Sequence, residues 1–251
     1  LQVLTSDKVL IGGFIITGTD PKKIIIRGIG PSLSGVGAVL QNPMLELHQG
    51  SITIATNDDW KENQSQVEAT TLPPANDFES AIVTTLNPGA YTAVLAGKDS
   101  GTGVAVVEVY DLAPAANSKL ANISTRGFVD SGSNVMIGGL IVDGGSGGGF
   151  ARVILRAIGP SLAAAGIQGV LPDPRLELHD ASGAVIGLND NWKIRPDGSS
   201  QQGEIEATSV PPSNDAESAL VQNLAPGNYT AIVRGAGNTS GIAVVEAYTL
   251  Q

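Results

Sequence analysis

The residues whose types and spacing could do chemistry come in pairs. Asn57-Asp58-Asp59 precedes Asn76-Asp77-Phe78-Glu79, and Asn189-Asp190-Asn191 precedes Asn214-Asp215-Ala216-Glu217. Carboxylate and amide oxygens of this kind suit Ca²⁺, a hard cation that collects several oxygen ligands. If the two turns of a pair meet, Asp58, Asp59, Asp77 and Glu79 form one candidate calcium site, and Asp190, Asn191, Asp215 and Glu217 another. The same residue types shape turns without a metal, by accepting hydrogen bonds from backbone amides two residues on. Neither segment has the spacing of an EF-hand loop.

The remaining reactive groups are also duplicated. His48 and His179 are the only histidines, and Ser32 and Ser161 stand in matching GPSL turns. Acyl transfer would need such a Ser, a His and a carboxylate within hydrogen-bond reach, and GPSL is not the GxSxG nucleophile elbow. No residue is assigned a catalytic role, and the chain is read as non-enzymatic. Trp60 and Trp192 each follow an acidic turn; exposed, they could stack on a sugar, and buried, they would cover the end of a core. Arg27 and Arg156 end apolar runs, while Glu108 and Glu246 interrupt others. An unpaired buried charge costs roughly 3 to 5 kcal/mol, so Arg27 is expected to pair with Glu108 or Glu46, and Arg156 with Glu246 or Glu177.

These pairs exist because the chain is written twice. VLIGGFII at Val9 returns as VMIGGLIV at Val135, IIIRGIGPSL as VILRAIGPSL, NDDW as NDNW, and LNPGAYTAVLAG as LAPGNYTAIVRG. The offset between copies grows through insertions at Gly144 to Gly149, after GPSL, at Ser182 to Gly183, and between Trp192 and Glu206, which marks those places as surface connections. A repeat of this length favours binding, adhesion or construction over a single special site. The expected division is a first repeat at 1–112, a linker and probable leading strand at 113–131, and a second repeat at 132–251.

Each copy reads as short β runs between turns, about seven per copy. In the first they fall at 9–17, 23–28, 44–49, 51–56, 80–86, 90–97 and 103–111. Leu45 and Leu47 point to one face and Glu46 and His48 to the other. Asn87-Pro88-Gly89 and Ala225-Pro226-Gly227 are turns that launch the strands of Tyr91 and Tyr229. The expected fold is all-β, two tandem jelly-roll-like β-sandwiches. Helix is expected only at Leu162 to Ala165, with a poorer match at Leu33 to Val36.

Composition narrows the partners. A net charge of −10 from 24 acidic and 14 basic residues disfavours nucleic acid and anionic membranes, which need clustered Lys and Arg. The absence of cysteine excludes disulfides and thiolate sites. No apolar run approaches the roughly 20 residues of a membrane-spanning helix. The first residue is Leu1 rather than Met, as in a chain from which a signal peptide has been removed. Low charge and 32 glycines suit an extracellular or cell-surface all-β protein. Four N-x-S/T triplets, at Asn63, Asn122, Asn228 and Asn238, permit glycosylation.

The combination LELHDASGAVIGLNDNW, LAPGNYTAIVRG and SGIAVVEAYTL resembles the repeat modules found in series in large secreted bacterial proteins. More distantly, the strand, acidic turn and PG-Y pattern is similar to the bacterial pre-peptidase C-terminal β-sandwich. The resemblance implies a secreted, non-catalytic accessory or surface module.

One asymmetry points to assembly. Leu120-Ala121-Asn122-Ile123-Ser124 and the residues to Val129 form a strand ahead of the second copy, whereas alignment sets Leu1 opposite Gly127. The first copy would then show an unpaired edge, a feature that proteins cover or use. A neighbouring molecule's strand could fill it, and a heterologous contact of that type builds a filament when its rotation does not close. The expected function is therefore an extracellular structural subunit that self-associates into a homopolymer and needs no cofactor. The assembly residues would be Leu1, Gln2, Val3, Leu4 and Thr5, the segment from Leu120 to Ser124, and Tyr248. The alternative is a calcium-assisted carbohydrate-binding or adhesion module of a larger secreted protein.

Overall fold

In the computed structural model, residues 1–132, 134–143 and 149–250 are described. The glycine insertion at Gly144 to Gly149 therefore lies, except for Gly149, outside the described residues. Strand makes up 51% of the chain and helix 12%, and the class is all-β. The chain divides into two compact units, Leu1–Ile123 and Ser124–Gln251. The division falls inside a strand, Ser118–Val129.

The first unit contains β1 (Gln2–Val3), β2 (Leu10–Gly18), β3 (Lys22–Ile29), β4 (Pro43–Gln49), β5 (Ile52–Asn57), β6 (Ser80–Leu86), β7 (Gly89–Gly97), β8 (Gly103–Val104) and β9 (Val106–Asp111). Strand β10 (Ser118–Val129) holds the boundary between the units. The second contains β11 (Met136–Val142), β12 (Ala151–Ile158), β13 (Pro174–His179), β14 (Val185–Asn189), β15 (Ser218–Leu224), β16 (Gly227–Gly235) and β17 (Gly241–Thr249). One short helix per unit, α1 (Gln64–Glu68) and α2 (Gln202–Glu206), lies in a stretch expected to be loop. Pro160–Ala165 is a 3-10 turn, where the alanine run suggested one turn of helix.

In the first unit the path β2-β7-β4-β5 faces β6-β3-β9, and in the second β11-β16-β13-β14 is matched by β15-β12-β17. The printed pairings within these paths are antiparallel. Alternation decides which side chains meet. Phe14 and Ile16 of β2, Leu45 and Leu47 of β4, and Leu95 of β7 pack on Ile24 and Ile26 of β3 and Ile82 of β6, all nearly inaccessible to solvent. Each such burial is worth about 1.5 to 3 kcal/mol.

Strand β3 is buried on both faces. Ile25 points away from the sandwich core and packs with Trp60, Val67 of α1 and Ala81. The second unit repeats this outer layer with Ile154, Trp192, Ile205 of α2 and Ala219. The helices thus exist to roof a three-stranded sheet, a demand of tertiary packing that local helix propensity does not announce.

Candidate functional site

The paired polar residues gather around the GPSL turn of each unit. Gly30 and Gly159 open these turns so close to a neighbouring chain that a Cβ would stand 2.1 Å from Leu40 O and 2.2 Å from Leu171 O. Glu79 lies beneath the first turn, fully buried. Its Oε1 accepts hydrogen bonds from Gly30 N (3.0 Å), Ser32 N (2.9 Å) and Ser32 Oγ (2.6 Å), and its Oε2 from Asn76 N (3.1 Å). Glu217 accepts from Gly159 N (3.2 Å), Ser161 N (2.9 Å), Ser161 Oγ (2.5 Å) and Asn214 N (3.2 Å). A buried carboxylate is tolerable when amide donors replace its hydration, and both glutamates meet that condition.

The two acidic turns of each unit do meet. Trp60 N donates to Glu79 O, and Trp192 N to Glu217 O, both at 2.8 Å. Their carboxylates nevertheless diverge. Asp77 points outward to Lys61 at 2.7 Å and Asp215 to Lys193 at 2.7 Å, while Asp58 is paired with Lys98 and Asp190 lies 3.8 Å from Arg175. The hydrogen bond from Lys98 to Asp58 raises the Lys98 amine above its ordinary pKa. Asp59 and Asn191 contribute backbone oxygens to the turns, accepting from Asn57 Nδ2 (3.1 Å) and Asn189 Nδ2 (3.2 Å). Among the described residues no three His, Cys, Asp or Glu side chains form a group able to hold a metal ion. Within the expected calcium constellation, lysines stand against Asp58, Asp77 and Asp215, and Glu79 and Glu217 accept from backbone amides and a serine hydroxyl.

The turns are organised by a residue the sequence reading passed over. Asn57 and Asn189 are buried, and their Oδ1 atoms accept from Ala81 N (2.7 Å) and Ala219 N (3.0 Å). The first residue of each NDDW or NDNW turn is thus a bridge to the neighbouring strand.

Trp60 and Trp192 do not offer sugar-stacking faces. They are only 6% and 5% exposed. Their Nε1 atoms donate to Asn76 O (3.0 Å) and Asn214 O (3.1 Å), and Lys61 and Lys193 lie over the rings at 5.8 and 5.3 Å. Ser32 and Ser161 are bonded to Glu79 and Glu217, whereas His48 contacts Glu46 (3.0 Å) within β4 and His179 contacts Glu177 (3.1 Å) within β13. The structure does not assemble them into a Ser-His-carboxylate triad.

The arginines take one of their two expected partners. Arg27 Nε donates to Glu108 Oε2 at 2.9 Å and Nη1 to Leu72 O at 3.1 Å. Arg156 Nε donates to Glu246 at 3.0 Å and Nη1 to Val210 O at 2.7 Å. Register makes these pairs, since Arg27 stands opposite Glu108 and Arg156 opposite Glu246. Each guanidinium also covers a phenol ring, Tyr110 at 5.1 Å or Tyr248 at 5.2 Å. Burial and then the neighbouring glutamate raise both phenol pKa values.

The assembly residues are engaged within the chain. Gln2 and Val3 pair with Val104 and Gly103, Leu1 N and O both bond to Ala105 at 2.9 Å, Leu4 N donates to Lys8 O, and Thr5 O accepts from Lys8 N. Val3 is fully buried. Leu1 to Thr5 therefore do not frame an unfilled edge. The physical reason is that β1 fills this edge itself, paired with β8 inside the first unit. Leu120 packs on the first unit's core and Asn122 is buried. Ala121 continues the strand, Ile123 and Ser124 flank the unit boundary, and Tyr248 stands opposite Ile154 in register.

A buried cation was also missed. Lys22 is wholly inaccessible and donates to Asp111 Oδ2 and Ala113 O, both at 2.8 Å. The second copy has Ala151 and Thr249 at the matching places. A lysine exchanged for alanine between otherwise parallel copies was the available signal that the position is interior.

No protein-family model matches this chain, and no curated protein does. Among solved structures, that of PNGF-II in the C2 space group aligns over 99% of this chain at 10% identity with a TM-score of 0.26, and the chain spans 57% of that protein's length.

Proposed function

We propose that this chain is an extracellular, non-catalytic structural protein whose modules join head to tail by β-strand addition. One observation supports the reading above others. The strand that follows the last strand of the first repeat, β10, begins beside the end of β2 in the first unit, where Thr19 N donates to Asn117 O at 2.9 Å. A strand laid along a module's open sheet edge satisfies backbone groups that would otherwise be left unpaired. The duplicated, internally saturated polar clusters suit a building element, because their carboxylates are committed to holding turns.

The calcium-assisted glycan reading asked for exposed Trp60 and Trp192 and for converging carboxylates. Both indole rings are buried and the carboxylates point apart. Electron microscopy of the purified chain over a concentration series, with sedimentation in parallel, tests the structural reading. Fibres with a regular axial repeat are expected. Isolated particles and a monomeric sedimentation profile at the highest concentration would overturn it.

A further inference from the structure

The two units differ most at one sheet edge. Strand β2 has β7 on one side and β10 on the other. Its counterpart β11 pairs with β16 throughout, from Met136 opposite Val233 to Val142 opposite Gly227, and ends its sheet, with no other strand beside it among the described residues.

Solvent exposure follows this difference over the middle of the strand, Ile11 to Ile15 against Ile137 to Ile141. Phe14 is 2% exposed, whereas Leu140 at the same place is half-buried. Ile11 and Ile15 are half-buried, but Ile137 and Ile141 are 52% and 70% exposed. Gly12 and Gly13 become correspondingly more open as Gly138 and Gly139. The sequence MIGGLIV also lacks the Lys, Pro or inward charge that natural edge strands use against unwanted pairing.

The first unit shows what such an edge receives. The covering strand enters beside the end of β2, where Thr19 N donates to Asn117 O at 2.9 Å and Asn117 Nδ2 to Thr19 Oγ1 at 3.0 Å. That placement makes it antiparallel to β2, with Leu120 turned onto the core.

We propose that the free edge of β11 accepts the leading strand of another module of this repeat, an extended segment of the Ser118–Val129 type. Resting on the head-to-tail reading above, the inference moves the acceptor from the filled Leu1 to Thr5 region to Met136–Val142. Backbone hydrogen bonds supply the affinity, and the apolar rows of Ile137 and Ile141 on one face and Leu140 on the other set the register.

The test uses the full chain and a synthetic peptide of sequence Ser118–Val129, with a scrambled peptide as control. Hydrogen exchange should show protection of Met136–Val142 on peptide binding. The variant Ile137→Lys/Ile141→Lys, whose sites are already exposed and need no refolding of the core, should weaken binding at least tenfold. Ile54→Lys, on the exposed β5 edge, should leave it unchanged. No binding, protection elsewhere, or displacement of the resident strand from β2 overturns the proposal. So does a dimer of β11 with β11, seen as peptide-independent association abolished by the double variant. Fibres that persist in the double variant would refute the β11 acceptor while leaving the structural reading intact. Peptide protection of β11 in a chain that never assembles would do the reverse.

Discussion

The interior of one unit predicts the interior of the other almost atom for atom, yet their edges differ. The distances from Glu79 and Glu217 to their four donors agree within about 0.2 Å, a difference too small to change a charge-assisted hydrogen bond. Strands β2 and β11, by contrast, share most of their sequence but not their neighbours. The framework that holds turns to sheets is fixed by buried polar groups, each of which must find a partner. An edge is settled only by whatever lies next to it. Similar strands can therefore serve as core in one unit and as open surface in the next.

The sharpest way to break the comparison is at the glutamates. Glu79→Ala and Glu217→Ala should each destabilise their own unit by about 3 to 5 kcal/mol, because several buried donors lose a charged acceptor at once. Exchange measured segment by segment should show loss of protection in the mutated unit alone. Equal loss in both would show that the units do not stand independently. Next in size is Lys22→Ala, expected to cost about 2 kcal/mol by leaving Asp111 and Ala113 O without their donor. It should also speed exchange at Ala113 to Asn117, the segment whose first carbonyl Lys22 holds. Since alanine already occupies this position at Ala151, the cost measures what surrounds the site and not the residue itself.

Much of this architecture was legible in the chain. Alternation at Leu45 to His48 and the turn residues before Tyr91 located strands to within about two residues, because a half-buried antiparallel strand has a two-residue period and its turns need special backbone angles. The Arg27 and Arg156 pairs followed from the cost of a bare charge, although only the strand register could choose Glu108 over Glu46. The candidate site was less legible. Asn, Asp and Glu in a turn can bind a metal, cap an amide or face a lysine, and composition does not distinguish these. Burial does, and the burial of Glu79 depends on the distant GPSL turn arriving above it. Helices α1 and α2 were invisible for a related reason. Each is five residues long and is held by the apolar roof over β3 or β12.

A smaller effect sharpens the difference in the cores. Phe14 stacks on Tyr91 with ring centroids 5.6 Å apart, where the second unit sets Leu140 opposite Tyr229. Phe14→Leu should therefore cost about 1 kcal/mol, the aromatic pair being lost while an apolar side chain remains. Thermal unfolding measures this directly. A loss of several kcal/mol would mean that β2 depends on Phe14 in a way β11 does not depend on Leu140.

The smallest effect concerns matched positions that differ by one charge, Asn42 in the first unit and Asp173 in the second. Asp173 Oδ1 is buried without a hydrogen-bond partner among the described residues. Burial, and then the charge of Asp190, raise the Asp173 pKa above the usual carboxylate value. A raised carboxyl binds its proton more tightly in the folded chain, so its favourable contribution is present in acid and is lost as pH rises through the folded value. Replacing the carboxylate by the amide found at Asn42 removes that loss. Asp173→Asn should therefore raise Tm slightly at pH 7, with the gain shrinking to nothing by about pH 3, below the ordinary carboxylate range. A gain that persists unchanged in acid would trace the difference to amide hydrogen bonding and not to the buried charge.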